Sequence, residues 1–371
     1  MPSAQSTLSY DWSLLITAIA LLLTGLVMVA STSLTLGAEG YGDPLYFFWR
    51  QLRFVGMGLV LFIVAVQIPV DFWEKFSILF LLAGIALLVL VLIPGIGHEV
   101  NGSLRWLRFG FMNLQPSELM KLFVVMYLAG YLCRHKAEVQ RTLMGFLRPL
   151  VVLLVITGLL LLEPDYGATV VLFSTVLGML FLAGVPLSRF IAWVFIGSVA
   201  MFILVLLAPY RIERLTTFLD PWADPFNSGF QLTQALIAIG RGEWFGMGLG
   251  NSVQKLAYLP EAHTDFIFAI LAEELGLVGG LTIILLFTWL IWRAFAIAHA
   301  ALPRDPYAAY VAYGIGLNIG LQAAISLGVN MGMLPTKGLT LPLMSHGGSS
   351  MLVCCLMLAL LVRVDYENRR G

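Results

Sequence analysis

Residues 260–276, PEAHTDFIFAILAEELG, set His263 and Asp265 at the mouth of a long apolar helix, with Glu273 and Glu274 about two turns deeper. The chain has 371 residues, 60% of them hydrophobic and 11% charged. Ionisable groups at membrane depth are costly, so they are rare and usually functional. A carboxylate at a water–lipid boundary, beside a long polar loop, has the chemistry of a general base acting on a substrate that lives in the lipid. Residues 101–121, NGSLRWLRFGFMNLQPSELMK, form a second cluster. Arg105 and Arg108 are three apart, so a helical turn places them on one face. Pro116 suits a helix start, with Ser117 and Glu118 in the first turn, and Glu118 and Lys121 have the spacing of an ion pair. Arginine forks and a lysine point charge make a cationic socket for phosphates. A structural pair tying two helices, and arginines reaching for lipid headgroups, are the plainer readings of the same residues.

The third cluster, residues 332–350, GMLPTKGLTLPLMSHGGSS, breaks an apolar run with two prolines and repeated small residues. Backbone that irregular at membrane depth must be buried in protein or line a cavity. Lys337, Ser345, His346, Ser349 and Ser350 are therefore candidate contacts to polar substrate groups. No serine sits in a strand–turn–helix elbow. The histidines have no paired spacing for a metal, and Cys133, Cys354 and Cys355 form no disulfide framework.

Long apolar helices must position these clusters. The mean hydropathy is +0.91 and the net charge zero, which speaks against nucleic acid as a partner, because phosphate-backbone binding needs a basic excess. Apolar runs recur at residues 14–30, 54–68, 76–93, 117–132, 149–162, 168–183, 190–208, 266–292, 307–327 and 347–362. Continuous apolarity without period-two alternation indicates helices, not a barrel. The expectation is an all-α polytopic membrane protein of about ten transmembrane helices, one domain over 1–371. Residues 1–13 contain no Lys or Arg, so the first span reads as a retained helix and not a signal peptide. With ten spans both ends share a side. That side holds Lys75, Arg134, Lys136, Arg141, Arg148, Arg189, Arg293, Arg304, Arg363, Arg369 and Arg370, and is read as cytoplasmic. Arg50, Arg53, Arg105, Arg108 and Lys337 fall on the other side, near Asp265, and suggest an anionic ligand there.

The longest loop, 209–262, lies outside, between helices 7 and 8. Trp222, Phe226, Phe230, Trp244, Phe245 and Tyr258 are too many aromatics for a solvated tether. Ser228 is placed to cap an interfacial helix over residues 229–239, with Gly240 ending it. The glycine-rich stretch 241–250, RGEWFGMGLG, lacks the strand–helix context of a phosphate-cradling loop.

Four segments carry a resemblance: SLRWLRFGFMNLQPSELMK at 103–121, LLEPDYGATVVLF at 161–173, the stretch 209–276 containing NSVQKLAYLPEAHTDFIFA, and GMLPTKGLTLPLMSHGGSSM at 332–351. The chain resembles the SEDS family of polytopic bacterial cell-wall proteins (shape, elongation, division and sporulation), and its division branch more than its elongation branch. The resemblance covers nearly the whole chain.

It implies a peptidoglycan glycosyltransferase that polymerises lipid II at the division septum, outside the cytoplasmic (inner) membrane. It places the family's essential aspartate on Asp265, its arginine on Arg105, and the glutamate and lysine of its PSE motif on Glu118 and Lys121. In this reading Asp265 is the catalytic base, and Arg105 and Lys121 steady the leaving diphosphate. Glu118 orients Lys121, and Arg108, His263, Lys337 and Ser349 complete the substrate site. Inversion by direct displacement needs one essential acid, unlike the two-carboxylate glycosidases. His346 departs from the tyrosine usual in the family. The resemblance further implies a class B penicillin-binding transpeptidase (FtsI-like) as partner and FtsQ–FtsL–FtsB as activators. A magnesium or manganese ion bridging diphosphate and Asp265 is an added expectation. The rival functions are a lipid II flippase, whose essential charges belong near the midplane in paired repeats, and a scaffold without catalysis, in which Asp265 is replaceable.

Overall fold

The computed structural model describes residues 10–100, 103–110, 112–206, 216–256, 259–336 and 338–370. Lys337 and Tyr258 lie outside the described residues. The helices are α1 (Trp12–Tyr41), α2 (Tyr46–Gln67), α3 (Val70–Leu92), α4 (Pro116–Arg141), α5 (Leu143–Leu162), α6 (Tyr166–Leu182), α7 (Leu187–Leu206), α8 (Phe230–Arg241), α9 (Ile267–Ala301), α10 (Pro306–Asn330) and α11 (Gly348–Arg370). Among the described residues eight of them are long and apolar enough to cross a membrane, and the apolar α6 and α7 lie on the other two expected spans. The chain is a mostly helical membrane protein.

Short polar signals set the helix starts. Asp11, Asp165 and Asp305 each accept the backbone N–H three residues on, at 3.1, 3.2 and 3.0 Å, satisfying a donor that the first turn leaves free. Pro116 and Pro306 occupy first-turn positions where a missing N–H costs nothing. The apolar windows of α4 and α11 are 78% and 83% buried, against 28% for α2, α3 and α9. The bundle is therefore built around α4 and α11, and the outer helices turn exposed leucine, isoleucine and valine outward.

Two expectations are corrected. Before α4 comes a three-stranded antiparallel sheet, β1 (Gly97–Val100), β2 (Ser103–Phe109) and β3 (Met112–Leu114), in the order β1-β2-β3. In a strand, residues three apart point to opposite faces, so Arg105 and Arg108 do not share one. The second correction is at α8, whose N-cap is Gly229, and which runs through Gly240 to Arg241. Ser228 instead donates to Asp224 Oδ2 at 3.1 Å. The buried face of α8, Leu232, Thr233, Ala235 and Ala238, turns toward the bundle.

The loop after α8 docks into a break in α9. Gly276 has φ +67°, which interrupts the helical ladder and frees backbone groups. The loop satisfies them: Met247 and Gly248 N–H donate to the Glu273 and Glu274 carbonyls at 2.9 and 3.1 Å, and Leu277 and Val278 N–H donate to Glu243 and Trp244 carbonyls at 2.8 and 3.1 Å. Gly246 permits the approach, since a Cβ there would come within 2.1 Å of the Glu274 carbonyl oxygen.

Candidate active site

At the end of the bundle opposite Tyr10 and Arg370 lies a cavity of about 560 Å³. Its wall includes Arg105, Gln115, Asp265, Thr340, His346 and Ser349. A tight turn presents Asp265 to it. Glu261 is left-handed at φ +55°, and its carbonyl accepts the N–H groups of Thr264, Asp265 and Phe266 at 3.1, 3.1 and 3.3 Å. Asn330, at the end of α10, donates to the Asp265 carbonyl at 2.8 Å and accepts from Ala269 N–H at 3.1 Å. Ser345 Oγ donates to the Thr264 carbonyl at 2.5 Å. With its backbone fixed on three sides, Asp265 is held on the cavity wall. Burial, then the Glu261 charge, pushes the Asp265 carboxyl up to about 7, against the opposing pull of Arg105. A carboxylate at that value is matched to proton abstraction near neutral pH.

Arg105 lies on the same wall. Its Nε donates to the Glu163 carbonyl at 3.2 Å and one terminal nitrogen donates to the Pro164 carbonyl. Two of five guanidinium donors are thereby engaged, which aims the fork and leaves the rest for a ligand. Ser349 also lines the cavity, but its hydroxyl ties α11 to β3: it accepts Gln115 N–H at 2.9 Å and donates to the Asn113 carbonyl at 3.0 Å. Glu118 and Lys121 pair at 2.9 Å, and Lys121 is 1% exposed. Lys121 is not among the residues that line this cavity, because α4 is central and its first turns are enclosed. Arg108 is exposed, with a terminal nitrogen 2.6 Å from His98 Nε2, because strand alternation carries it away from Arg105. His263 stands behind the wall, its ring beside Phe47 and His346 and its carbonyl accepting His346 N–H at 2.9 Å. Glu273 and Glu274 are fully buried. Glu273 accepts from Ser252 Oγ at 2.5 Å and Glu274 from Lys255 Nζ at 2.8 Å, so both hold the docked loop and neither faces the cavity.

A family model described as cell cycle protein, covering FtsW, RodA and SpoVE, matches residues 11–370. The chain belongs to the FtsW/RodA/SpoVE family. It is 57% identical over 365 residues to a Nitrosococcus halophilus protein named a probable peptidoglycan glycosyltransferase FtsW, covering 98% of this chain and 94% of that one. A Thioalkalivibrio sulfidiphilus protein of the same name is 55% identical, with 96% and 90% covered. Among solved structures, a chain of a peptidoglycan synthase complex described as coordinating polymerization and crosslinking is 31% identical, with a TM-score of 0.80 over 98% of this chain and 100% of that one. The Thermus thermophilus rod shape determining protein RodA is 28% identical, with a TM-score of 0.73 over 98% and 99%.

In this FtsW/RodA/SpoVE chain, the amide and hydroxyl groups of α10 escape a motif-based reading. Asn318, Gln322, Ser326 and Asn330 recur at every fourth residue and are all buried. That stripe in an apolar helix was a signal in the sequence, because buried polar groups must find partners. Asp165 is a second omission: its Oδ2 accepts from Ser117 Oγ at 2.9 Å and Gln115 Nε2 at 3.1 Å, joining the starts of α4 and α6 under the cavity. His346 keeps its imidazole neutral, since burial and then His263 and Arg50 lower it to about 3.

Proposed function

We propose that this chain polymerises lipid II, with Asp265 as general base and Arg105 as the cation at the leaving diphosphate. It is a peptidoglycan glycosyltransferase, as its close relatives are named. The carrying observation is Asp265 itself, a carboxylate raised to about 7 on the wall that also presents Arg105. A sugar hydroxyl of one molecule attacks the anomeric carbon of another and gives its proton to Asp265. The bond from that carbon to the diphosphate breaks with inversion, and polyprenyl diphosphate leaves with the electron pair. Guanidinium donors held in place beforehand stabilise the charge growing on the leaving oxygens.

The same reading sets the cavity end outside the cytoplasmic membrane at the division septum, with both termini cytoplasmic. The partner is a class B penicillin-binding transpeptidase, with FtsQ–FtsL–FtsB as activators; a likeness to one chain of a synthase complex supports an assembly of this kind. Among the described residues no three His, Cys, Asp or Glu side chains gather to hold a metal. A magnesium or manganese ion held here would therefore take most of its ligands from the substrate. Loss of activity in EDTA, restored by either ion, would assign it. The decisive experiment is lipid II polymerisation in liposomes by the purified chain, alone and with its transpeptidase. Wild type is expected to make glycan strands and Asp265→Ala none, with unchanged thermal unfolding. Strands from Asp265→Ala at the wild-type rate would remove Asp265 from the reaction.

A further inference from the structure

Lys121 is enclosed away from the cavity wall, yet its charge is not confined to Glu118. Nζ donates to Glu118 Oε1 at 2.9 Å and to Gln322 Oε1 at 2.6 Å. Lysine carries only donors, so the Gln322 oxygen must face it and the amide NH₂ must face the other way. That NH₂ donates to the Thr340 carbonyl at 2.9 Å. Thr340 Oγ1 in turn bonds Ser350 Oγ at 3.0 Å, and both residues line the cavity. Two positions before Thr340, the Gly338 backbone lies against the base: a Cβ there would stand 3.0 Å from Asp265 Oδ2.

We infer that Gln322 is a positioning residue, which carries the pull of the buried Lys121 to the Thr340 carbonyl and so seats Gly338 against the Asp265 carboxylate. The segment around Thr340 has no helix or strand of its own, so its carbonyls depend on side-chain donors. An amide polarised by an ammonium is a stronger donor than a free one. Gln322 thereby ties α4, α10 and the cavity wall into one hydrogen-bonded chain. Lys121 acts on the reaction through this chain, without touching substrate.

The inference rests on the glycosyltransferase reading and is tested with the same liposome assay, using the chain with its transpeptidase. Gln322→Glu keeps an acceptor for Lys121 and loses the donor to Thr340; Gln322→Leu loses both. Each is expected to lower kcat for lipid II about tenfold or more, with KM within about threefold, because a displaced base hurts the chemical step more than binding. The acid limb of the pH–rate profile is expected to move to lower pH, since a loosened wall lets water reach Asp265. Among the described residues the charged groups facing Asp265 are Glu261 on its own loop and Arg105 on β2, with the neutral His346 ring on the same wall, and none of these is altered in these variants. Should Gln322→Leu fail to fold, Gln322→Glu is read alone. An unchanged kcat, or a lower kcat with an unmoved acid limb, overturns the inference and leaves Gln322 a structural tie. Absence of strands from wild type would instead overturn the glycosyltransferase reading.

Discussion

At the scale of single residues, the proposed reaction depends on one carboxylate whose surroundings keep a proton on it longer than water would. As the proposed base Asp265 works only when ionised, and its carboxyl is raised to about 7. Activity is therefore expected to rise with pH through about 7, not through the ordinary range near 4. Glu261→Gln removes a charge that raises the carboxyl, so the acid limb of its pH–rate profile should shift to lower pH; an unmoved limb would mean another group titrates. Gly338→Ala tests the packing of the base. Its methyl would stand 3.0 Å from Asp265 Oδ2 and must push the carboxylate aside, which is expected to cost about tenfold to hundredfold in rate with little change in thermal stability. Asp265 and Arg105 were legible as chemistry in the sequence because each is a charge in an apolar setting. The enclosure of Lys121 was not, since ion-pair spacing says nothing about whether solvent or protein covers the pair.

At the scale of elements, the docked outer loop and the broken α9 form one unit. Glu274 is fully buried and relies on Lys255 Nζ at 2.8 Å and Ser31 Oγ at 2.6 Å. Lys255 also donates to Ser31 and to the Gly250 carbonyl, at 2.9 and 2.7 Å. Removing one member of a buried pair strands the other charge. Lys255→Met is therefore expected to destabilise the protein by about 3 kcal/mol, read as thermal unfolding in detergent, and Glu274→Gln in the same chain should restore most of it. A loss in the double variant equal to the sum of the two single losses would deny the coupling. The apolar helices were readable from run length; among the described residues eight are long and apolar enough to cross a membrane. The sheet was missed because SLRWLRF at 103–109 breaks polar–apolar alternation at Trp106–Leu107, and the spacing of its arginines was read at helical period. The break at Gly276 was hidden because an apolar run continues across it, and only the partners of the freed backbone groups reveal it.

At the scale of the whole molecule, both described ends meet at one end of the bundle. The Tyr10 and Tyr366 rings stack at 5.2 Å, Asp11 pairs with Arg293, and Arg304 donates to the Asn368 carbonyl. The cavity opens at the other end. If the arginine-rich end is cytoplasmic, a membrane-impermeant maleimide on intact cells should label Phe226→Cys, which sits in the exposed outer loop, and spare Asn368→Cys; the reverse pattern would invert the topology. The native cysteines interfere little, since Cys354 and Cys355 are buried and Cys133 half-buried. Composition and the length of apolar runs were enough to specify a bundle of membrane helices, because in lipid a backbone must satisfy itself. The charged residues suggested the chemistry proposed above, because burying an ion needs a purpose. Which of those charges face the cavity was decided only by packing. Arg105 and Arg108 separate by strand alternation, Lys121 is sealed by the central position of α4, and Asp265 is aimed by Glu261, Ser345 and Asn330 from three parts of the chain. Contacts so distant in sequence leave no local pattern, and only the fold brings them to one wall.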